Sequence, residues 1–262
     1  MLNEFKILHQ KIGFGETVQI NMDIARLHTR SKIEVPIIVS RGKVDGPCLL
    51  LIGGIHGDET NGVEIVRQIV AGGLNKPEKG TIICIPLLNV FGFLNQKREF
   101  PDGRDLNRAF PGSNTGSLAS RFADHLMTKV IPKVDFCIDY HTGGAQRFNY
   151  SQVRVDRMDE ESLKLAHVFG APFIVYSKSK ERTFRKSMAN LGKKVLLFEG
   201  GKSLFLDKNV TKVGIQGAIN VMHHLGLRDF TTRISKPNAA NPPIIITNSK
   251  WLRSKHQGMY KI

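Results

Sequence analysis

A histidine and a glutamate with the spacing of metal ligands follow a short apolar run. His56 and Glu59 lie in the glycine-containing segment Gly53–Gly62, directly after the apolar run Cys48–Ile52. An imidazole and a carboxylate three residues apart, in a loop that enters a helix, can converge on one ion, and Zn²⁺ accepts both ligand types. A catalytic zinc site typically has three protein ligands and an open position for water. The pair therefore requires a third ligand elsewhere in the chain.

His141 is the candidate third ligand. It follows the predicted strand Asp135–Tyr140 and precedes a threonine and two glycines. Ligands of open α/β sheets bind at the carboxyl ends of the strands, so groups that follow different strands can meet there. Taken singly, His56 and His141 could be ordinary loop histidines, and Glu59 could be a carboxylate near a helix N-terminus. Their shared placement after strands and among glycines favours a metal site.

A loop rich in arginine carries groups suited to binding a carboxylate. Arg98, Arg104 and Arg108 lie in this loop together with Asn107, between prolines and glycines typical of turns. A guanidinium binds a carboxylate through two parallel hydrogen bonds, and an arginine near a metal can stabilise an oxyanion. A solvated basic loop is the alternative interpretation.

Glu199 ends another apolar run and is a candidate for proton transfer. It follows Val195–Phe198 and precedes two glycines, which predicts a position at the same edge of the sheet. A carboxylate there can take a proton from water and deliver it to a leaving amine. A structural glutamate is the alternative, and this residue alone does not decide between the two.

Alternating strands and helices must position these groups. The predicted strands are Val18–Ala25, Ile33–Val39, Cys48–Ile52, Thr81–Leu88, Asp135–Tyr140, Phe173–Tyr176 and Val195–Phe198. The predicted helices are Asp58–Val70, Ser117–Ile131, Glu160–Phe169, Arg182–Leu191 and Val210–Leu225. This order predicts an α/β fold, a three-layer sandwich with a mixed, mostly parallel sheet and helices on both faces. The sheet is expected to be mixed because the first two strands have no helix between them.

The character of the chain changes after Gly226. A polar stretch with three prolines is followed by short apolar pieces, Ile244–Ile246 and Met259–Ile262, and by no further long helical pattern. We therefore expect a catalytic domain over residues 1–228. Residues 229–262 are expected to form a linker and the truncated start, or remnant, of a small C-terminal β module.

Composition and charge exclude several classes of protein. The chain has 262 residues, of which 41% are hydrophobic and 23% charged, an ordinary globular composition. No run approaches the roughly 18–20 apolar residues of a membrane span, and the N-terminus does not resemble a signal peptide, so we expect a cytoplasmic protein with no membrane partner. The net charge of +15 attracts anions, but the basic residues are dispersed and no nucleic-acid-binding motif appears. We expect no nucleic-acid partner.

Four separated motifs together resemble one enzyme family. They are His56-x-x-Glu59, Asp105 to Gly112, Asp139-x-His141-Thr142-Gly143 and Phe198-Glu199-Gly200. In this order they resemble the succinylglutamate desuccinylase/aspartoacylase family, a branch of the zinc carboxypeptidase-like fold. The resemblance covers roughly Pro36 to Leu225, which is most of the chain.

The resemblance implies a zinc-dependent catalytic site. By this resemblance, His56, Glu59 and His141 bind one zinc ion per chain. Glu199 is then the general base that accepts a proton from water and the general acid that protonates the departing amine.

The resemblance also implies roles for the arginine loop. Arg98 matches the arginine that stabilises the oxyanion, although Arg104 is close enough in the chain to compete for this role. Asn107 and Arg108 match the pair that holds the carboxylate of the substrate, and Asp105 is expected to orient the loop.

One departure from the family pattern concerns the C-terminus. Trp251–Gly258 resembles the start of a segment that leads into a full C-terminal β domain in the family, but this chain ends at Ile262. In some members that domain contributes to the wall of the active site, so its shortening bears on substrate specificity.

The implied reaction is hydrolysis of an amide bond next to a free carboxylate. Deacylation of an N-acyl amino acid is the first interpretation, and metallocarboxypeptidase action on short peptides is the second, because both need the same site. A third is a non-catalytic protein that binds anionic partners on a hydrolase fold. We expect a small amide or short peptide as the partner of the site, and homo-oligomer formation is left open.

Overall fold

The computed structural model describes residues 4–26, 30, 32–234 and 242–250. Within these ranges the strands are β1 (Phe5–Ile7), β2 (Gln10–Ile12), β3 (Thr17–Arg26), β4 (Lys32–Arg41), β5 (Val44–Gly53), β6 (Lys79–Ile85), β7 (Phe136–Gly143), β8 (Asn149–Val155), β9 (Phe173–Tyr176), β10 (Lys194–Lys202) and β11 (Ile244–Ile246). The helices are α1 (Thr60–Ala71), α2 (Val90–Leu94), α3 (Leu118–Lys129), α4 (Glu160–Phe169), α5 (Phe184–Asn190) and α6 (Lys208–His224). Short 3₁₀ turns lie at Leu106–Arg108 and Ile131–Lys133.

One mixed sheet forms the middle layer, with the strand order β11-β9-β8-β10-β7-β5-β6-β4-β3. The pairs β11–β9, β9–β8, β10–β7, β7–β5 and β5–β6 are parallel. The pairs β8–β10, β6–β4 and β4–β3 are antiparallel. The mixed, mostly parallel sheet expected from the sequence is confirmed, and β1 and β2 form a separate hairpin.

Alternating residues of the central strand β5 face two different cores. Leu49 and Leu51 pack with residues of α1, α4 and α6 on one face of the sheet. Leu50 and Ile52 pack with residues of α3 and α5 on the other face. All four side chains are fully buried, and each such burial contributes about 1.5–3 kcal/mol to folding. Helices therefore cover both faces of the sheet, as expected.

Local signals fix the ends of helix α4, which the sequence predicted with the observed bounds. The side chain of Asp159 accepts a hydrogen bond from the backbone N–H of Ser162, and two glutamates occupy the first turn. Both features favour a helix N-terminus. Gly170 ends the helix with a φ of 79°, a left-handed conformation that glycine adopts at little cost.

Strand β8 was missed by the sequence analysis, which assigned no element between Tyr140 and Glu160. Ser151, Val153 and Val155 are buried, while the residues between them are polar or aromatic and face away from that core. This alternation is short and contains an arginine, so it resembles a loop. The strand lies between β9 and β10, where it runs antiparallel to β10.

The C-terminal strand β11 joins the main sheet. Ile244–Ile246 pairs in parallel with Phe173–Val175 of β9, so this predicted piece of a small β module extends the edge of the sheet. The other predicted pieces, Trp251–Gly258 and Met259–Ile262, lie outside the described residues. The division of the chain after residue 228 stays a prediction. None of the described helices is long and apolar enough to cross a membrane.

Candidate metal and active site

Three neighbouring parallel strands position the predicted metal ligands and Glu199. The loop with His56 and Glu59 follows β5, His141 lies near the end of β7, and Glu199 lies in β10. Strand β7 is between the other two, and Glu199 is the register partner of His141 across the β10–β7 ladder. Because these strands run in the same direction, the four side chains lie together toward the carboxyl ends of the strands.

Close backbone packing fixes the loop between β5 and α1. A Cβ atom on Gly57 would lie only 2.0 Å from the carbonyl carbon of Gly92 in α2. The loop can approach α2 this closely only because residue 57 is glycine. This close approach fixes the backbone next to His56, whose side chain is almost fully buried.

His56, Glu59 and His141 form one compact cluster. The Glu59 Oε1 atom lies 2.8 Å from His56 Nδ1, and its Oε2 atom lies 2.8 Å from His141 Nδ1. One potential ligand atom from each residue lies within 4.8 Å of the others. Glu59 precedes helix α1, but its side chain makes no capping hydrogen bond, which argues against a purely capping role. These three buried residues could hold a metal ion.

Two further carboxylates orient the imidazole rings. His56 Nε2 lies 3.2 Å from Asp105 Oδ1, and His141 Nε2 lies 3.0 Å from Asp139 Oδ2. Each ring thus turns its Nδ1 atom toward Glu59 and its Nε2 atom toward a carboxylate. Metal-binding histidines commonly have such an outer carboxylate, which fixes the tautomer and the ring orientation. The donor set and its outer partners therefore fit a zinc ion.

Charge pairing dominates the electrostatics of the cluster. Burial alone would raise the pKa of Glu59, but the two histidines hold it well below its ordinary value. Burial likewise opposes the charge on His141, but Asp139 and Glu59 raise its pKa well above the ordinary value. A metal binds the neutral imidazole, so metal binding at this cluster is coupled to release of protons.

Arg98 and Arg104 occupy different environments. Arg98 donates to Glu59 Oε1 at 3.3 Å and to Asp105 Oδ2 at 2.9 Å, and it lines the cavity beside the cluster. The side chain of Arg104 is 64% exposed and is not among the cavity-lining residues. The geometry therefore brings Arg98, rather than Arg104, to the candidate metal cluster.

Asn107 and Arg108 both line the same cavity. The side-chain oxygen of Asn107 accepts a hydrogen bond from the backbone N–H of Phe184, at 2.8 Å. Arg108 is exposed, and its Nη1 donates to the backbone oxygen of Asn107 at 2.7 Å. Asp105 Oδ1 accepts a hydrogen bond from the backbone N–H of Asn107 at 2.8 Å, which ties Asp105 to the start of this turn.

Glu199 faces the cavity and is largely buried, with 17% of its side chain exposed. Burial raises its pKa above the ordinary value, while the positive charge of Arg154 opposes this effect. Asn149 donates to Glu199 Oε2, and Arg154 Nη2 lies 3.4 Å from the same oxygen. A carboxylate with a raised pKa beside a candidate metal cluster can exchange protons with water or an amine.

The cavity that joins these groups measures about 620 Å³ and has a strongly basic wall. Its basic side chains are Arg98, Arg108, Arg147, Arg154, Lys178, Lys180 and Arg185. Sequence analysis found the first two of these. It missed Asn149, Arg154 and Arg185, because these residues carry no motif of their own and reach the site only through the pairing of β8 and the placement of α5.

Comparison with known proteins supports a common family. The family model for the succinylglutamate desuccinylase/aspartoacylase catalytic domain matches residues 45–225, more than half of the chain. A curated relative, the N-alpha-acetyl-L-2,4-diaminobutyric acid deacetylase of Halomonas elongata, is 29% identical over 245 residues, covering 88% of this chain and 69% of the relative. Residues 45–225, which the family model matches, contain all the predicted site residues.

Solved structures show the same fold. A succinylglutamate desuccinylase/aspartoacylase from Rhodobacter sphaeroides has a TM-score of 0.77 at 25% identity, over 91% of this chain and 74% of the other. A succinylglutamate desuccinylase from Silicibacter has a TM-score of 0.80 at 23% identity, over 94% and 77%. The carboxypeptidase-like fold implied by the motifs is therefore confirmed. The chain belongs to the succinylglutamate desuccinylase/aspartoacylase family.

Proposed function

We propose that this protein is a zinc-dependent hydrolase that removes the acyl group from an N-acyl amino acid. Family membership supports hydrolysis of an amide, and the curated relative is named as a deacetylase of an N-acetyl amino acid. The buried His56, Glu59 and His141 offer a donor set that suits zinc.

The observation that carries the proposal is the register between Glu199 and His141. These residues are direct partners on adjacent parallel strands, and both line the same cavity. A general base is useful only within reach of the water molecule that it deprotonates. The strand pairing thus supports a site in which a proton-transfer group, Glu199, lies beside the candidate metal ligands. Hydrolysis of an amide by a metal site needs both.

Each residue then has a chemical task. His56, Glu59 and His141 would hold the zinc ion, which would supply a Lewis acid for the scissile carbonyl and for water. Glu199 accepts the proton of the attacking water and afterwards delivers it to the departing amine. Arg98 donates hydrogen bonds to the oxyanion that develops on the carbonyl oxygen.

The arginine loop orients the substrate. Asn107 and Arg108 bind the free carboxylate next to the scissile amide, with the guanidinium forming two hydrogen bonds. Fixing this carboxylate holds the carbonyl carbon at one place relative to Glu199 and lowers the entropic part of the barrier. The basic wall of the cavity favours such anionic substrates.

The proposal is tested by hydrolysis assays with zinc-loaded protein. The substrates are N-acetyl and N-succinyl amino acids with acidic, neutral and basic side chains, N-alpha-acetyl-diaminobutyrate, and short peptides as a carboxypeptidase panel. The readout is release of free amine. We expect turnover of N-acyl amino acids and, for Glu199→Gln, a loss of about 100-fold or more in kcat with retained zinc.

Three results would contradict the proposal or change it. If folded, zinc-loaded protein hydrolyses no substrate of either panel, the hydrolase function is wrong. If it cleaves peptides and leaves N-acyl amino acids intact, the carboxypeptidase interpretation replaces the deacylase one. If Glu199→Gln retains full activity, the role of Glu199 is wrong.

A further inference from the structure

Strand β8 engages one oxygen of Glu199 from two positions. The side-chain amide of Asn149 donates to Glu199 Oε2, and Arg154 Nη2 lies 3.4 Å from that same atom. Asn149 is at the start of β8 and Arg154 is near its end. The antiparallel register with β10 pairs Arg154 with Leu197 and Asn149 with Gly201, so the two residues flank Glu199 along the ladder.

The two contacts leave the other oxygen of Glu199 open. Among the described residues, no hydrogen bond or ion pair reaches Glu199 Oε1. A carboxylate fixed through one oxygen cannot rotate freely, so its second oxygen keeps one direction. A base with a single fixed direction transfers protons faster than one that must first be oriented.

The surroundings of Arg154 indicate that it faces Glu199 for a reason other than packing. Its Nε atom is buried and has no hydrogen-bond partner within the described part of the chain. A second guanidinium, that of Arg185, lies nearby. Burial lowers the pKa of Arg185, and the positive charge of Arg154 lowers it further. An arginine held beside another cation and without a full set of acceptors is costly for stability. Such a cost is typical of a residue kept for the geometry of a site.

We propose that Asn149 and Arg154 are positioning residues, which hold the Glu199 carboxylate in one orientation by binding its Oε2 atom. The inference rests on the proposed role of Glu199 as the base of the hydrolysis. It adds two residues and one strand to the site, and none of the four sequence motifs contains them. Neither residue is proposed to take part in proton transfer.

The first test reads the orientation of Glu199 directly and needs no activity. Crystal structures are determined for the wild type, Asn149→Ala, Arg154→Gln and the double variant. Arg157→Gln is the matched control, because this exposed arginine lies just after β8 and its replacement removes the same charge. We expect one Glu199 conformation in the wild type and control, and a rotated or divided carboxylate in the double variant. An unchanged carboxylate in the double variant would overturn the inference.

The second test separates positioning from substrate binding. With zinc-loaded protein and the substrate turned over fastest by the wild type, each single variant should lose about 10- to 100-fold in kcat while KM changes little. Arg154→Lys should recover part of the lost kcat, since an ammonium can still bind Oε2. An increase in KM at constant kcat would instead assign Arg154 to substrate binding and overturn its positioning role.

The two tests also separate this inference from the proposed function. If the wild type hydrolyses no substrate, the proposed function fails, yet the crystal structures still decide whether β8 orients Glu199. If the wild type is active and the variants match it in both kcat and Glu199 conformation, the inference fails and the proposed function stands.

Discussion

The side-chain oxygen of Asn107 accepts a hydrogen bond from the backbone N–H of Phe184, 77 residues further along the chain, at 2.8 Å. This bond ties the arginine loop to the first turn of helix α5. Asn107 therefore has two tasks under the proposed function. Its oxygen holds α5 in place, and its NH₂ group is left to bind the substrate carboxylate.

Two substitutions of Asn107 should separate these tasks. Asn107→Ala leaves the buried N–H of Phe184 without an acceptor, so we expect a loss of about 1–3 kcal/mol in the free energy of unfolding. Asn107→Asp retains an acceptor for this N–H but replaces the NH₂ donor by an oxygen that repels a carboxylate. It should lose much less stability than Asn107→Ala and still raise KM strongly. Denaturant unfolding and steady-state kinetics check both outcomes; equal stability losses would contradict the assignment.

Arg98 and Arg104 should differ in their effect on catalysis. Arg98→Met removes the donor beside the metal cluster, so we expect kcat to fall by about 100- to 1000-fold with zinc still bound. Arg104→Met is the matched control and should change kcat little, because its side chain is exposed outside the cavity. If kcat falls strongly in Arg104→Met and stays near the wild-type value in Arg98→Met, Arg104 rather than Arg98 acts beside the metal cluster.

The central strands and the site motifs could be predicted from sequence because their signals are local. An apolar run such as Cys48–Ile52, followed by glycines and a histidine, predicts a strand and then a loop from consecutive residues alone. The ends of α4 are equally local, since Asp159 and Gly170 are adjacent to the helix that they cap. Parallel pairing then places the predicted metal ligands together.

The β8 residues could not be predicted because their role depends on pairing. Arg154 reaches Glu199 only because β8 enters the sheet between β9 and β10, which no local pattern determines. The strand is only seven residues long, and two of its polar residues, Asn149 and Arg154, line the cavity. Likewise, the distinction between Arg98 and Arg104 depends on the path of one loop in space.

Asp139 should matter for zinc affinity although it is not a candidate ligand. Its carboxylate is fully buried and lies 3.0 Å from His141 Nε2. The Asp139 carboxylate orients the His141 ring and makes it more basic. Asp139→Asn removes this carboxylate, so we expect zinc affinity to fall by about 10- to 100-fold. Titration of the apoprotein against a competing chelator measures the change. Unchanged affinity in a folded variant would show that the His141 ring needs no such partner.

Asp159 gives the stability of the protein a component that depends on pH. Although burial opposes its ionisation, hydrogen bonds from Lys194 and Ser162 hold the pKa of Asp159 below its ordinary value. The ionised form is therefore favoured in the folded state, and the stabilisation is present above the unfolded pKa of about 3.9 and lost as pH falls through the lower folded pKa.

Asp159→Ala should accordingly destabilise the protein in a pH-dependent manner. It removes the N-cap of α4 and the ion pair with Lys194, so we expect a loss of about 0.5–2 kcal/mol at pH 7. The difference from wild type should shrink as pH is lowered below the unfolded pKa. Thermal unfolding across this range checks the sign, and a difference that grows toward acid pH would contradict it.

The metal content of the purified protein tests the central claim most directly. Elemental analysis is carried out on zinc-loaded, dialysed wild type and on the His141→Ala and Glu199→Gln variants, with circular dichroism to verify folding. The account predicts about one zinc per chain in the wild type and in Glu199→Gln, and none retained in His141→Ala. Folded wild type that retains no metal, or His141→Ala that retains as much as the wild type, would contradict it.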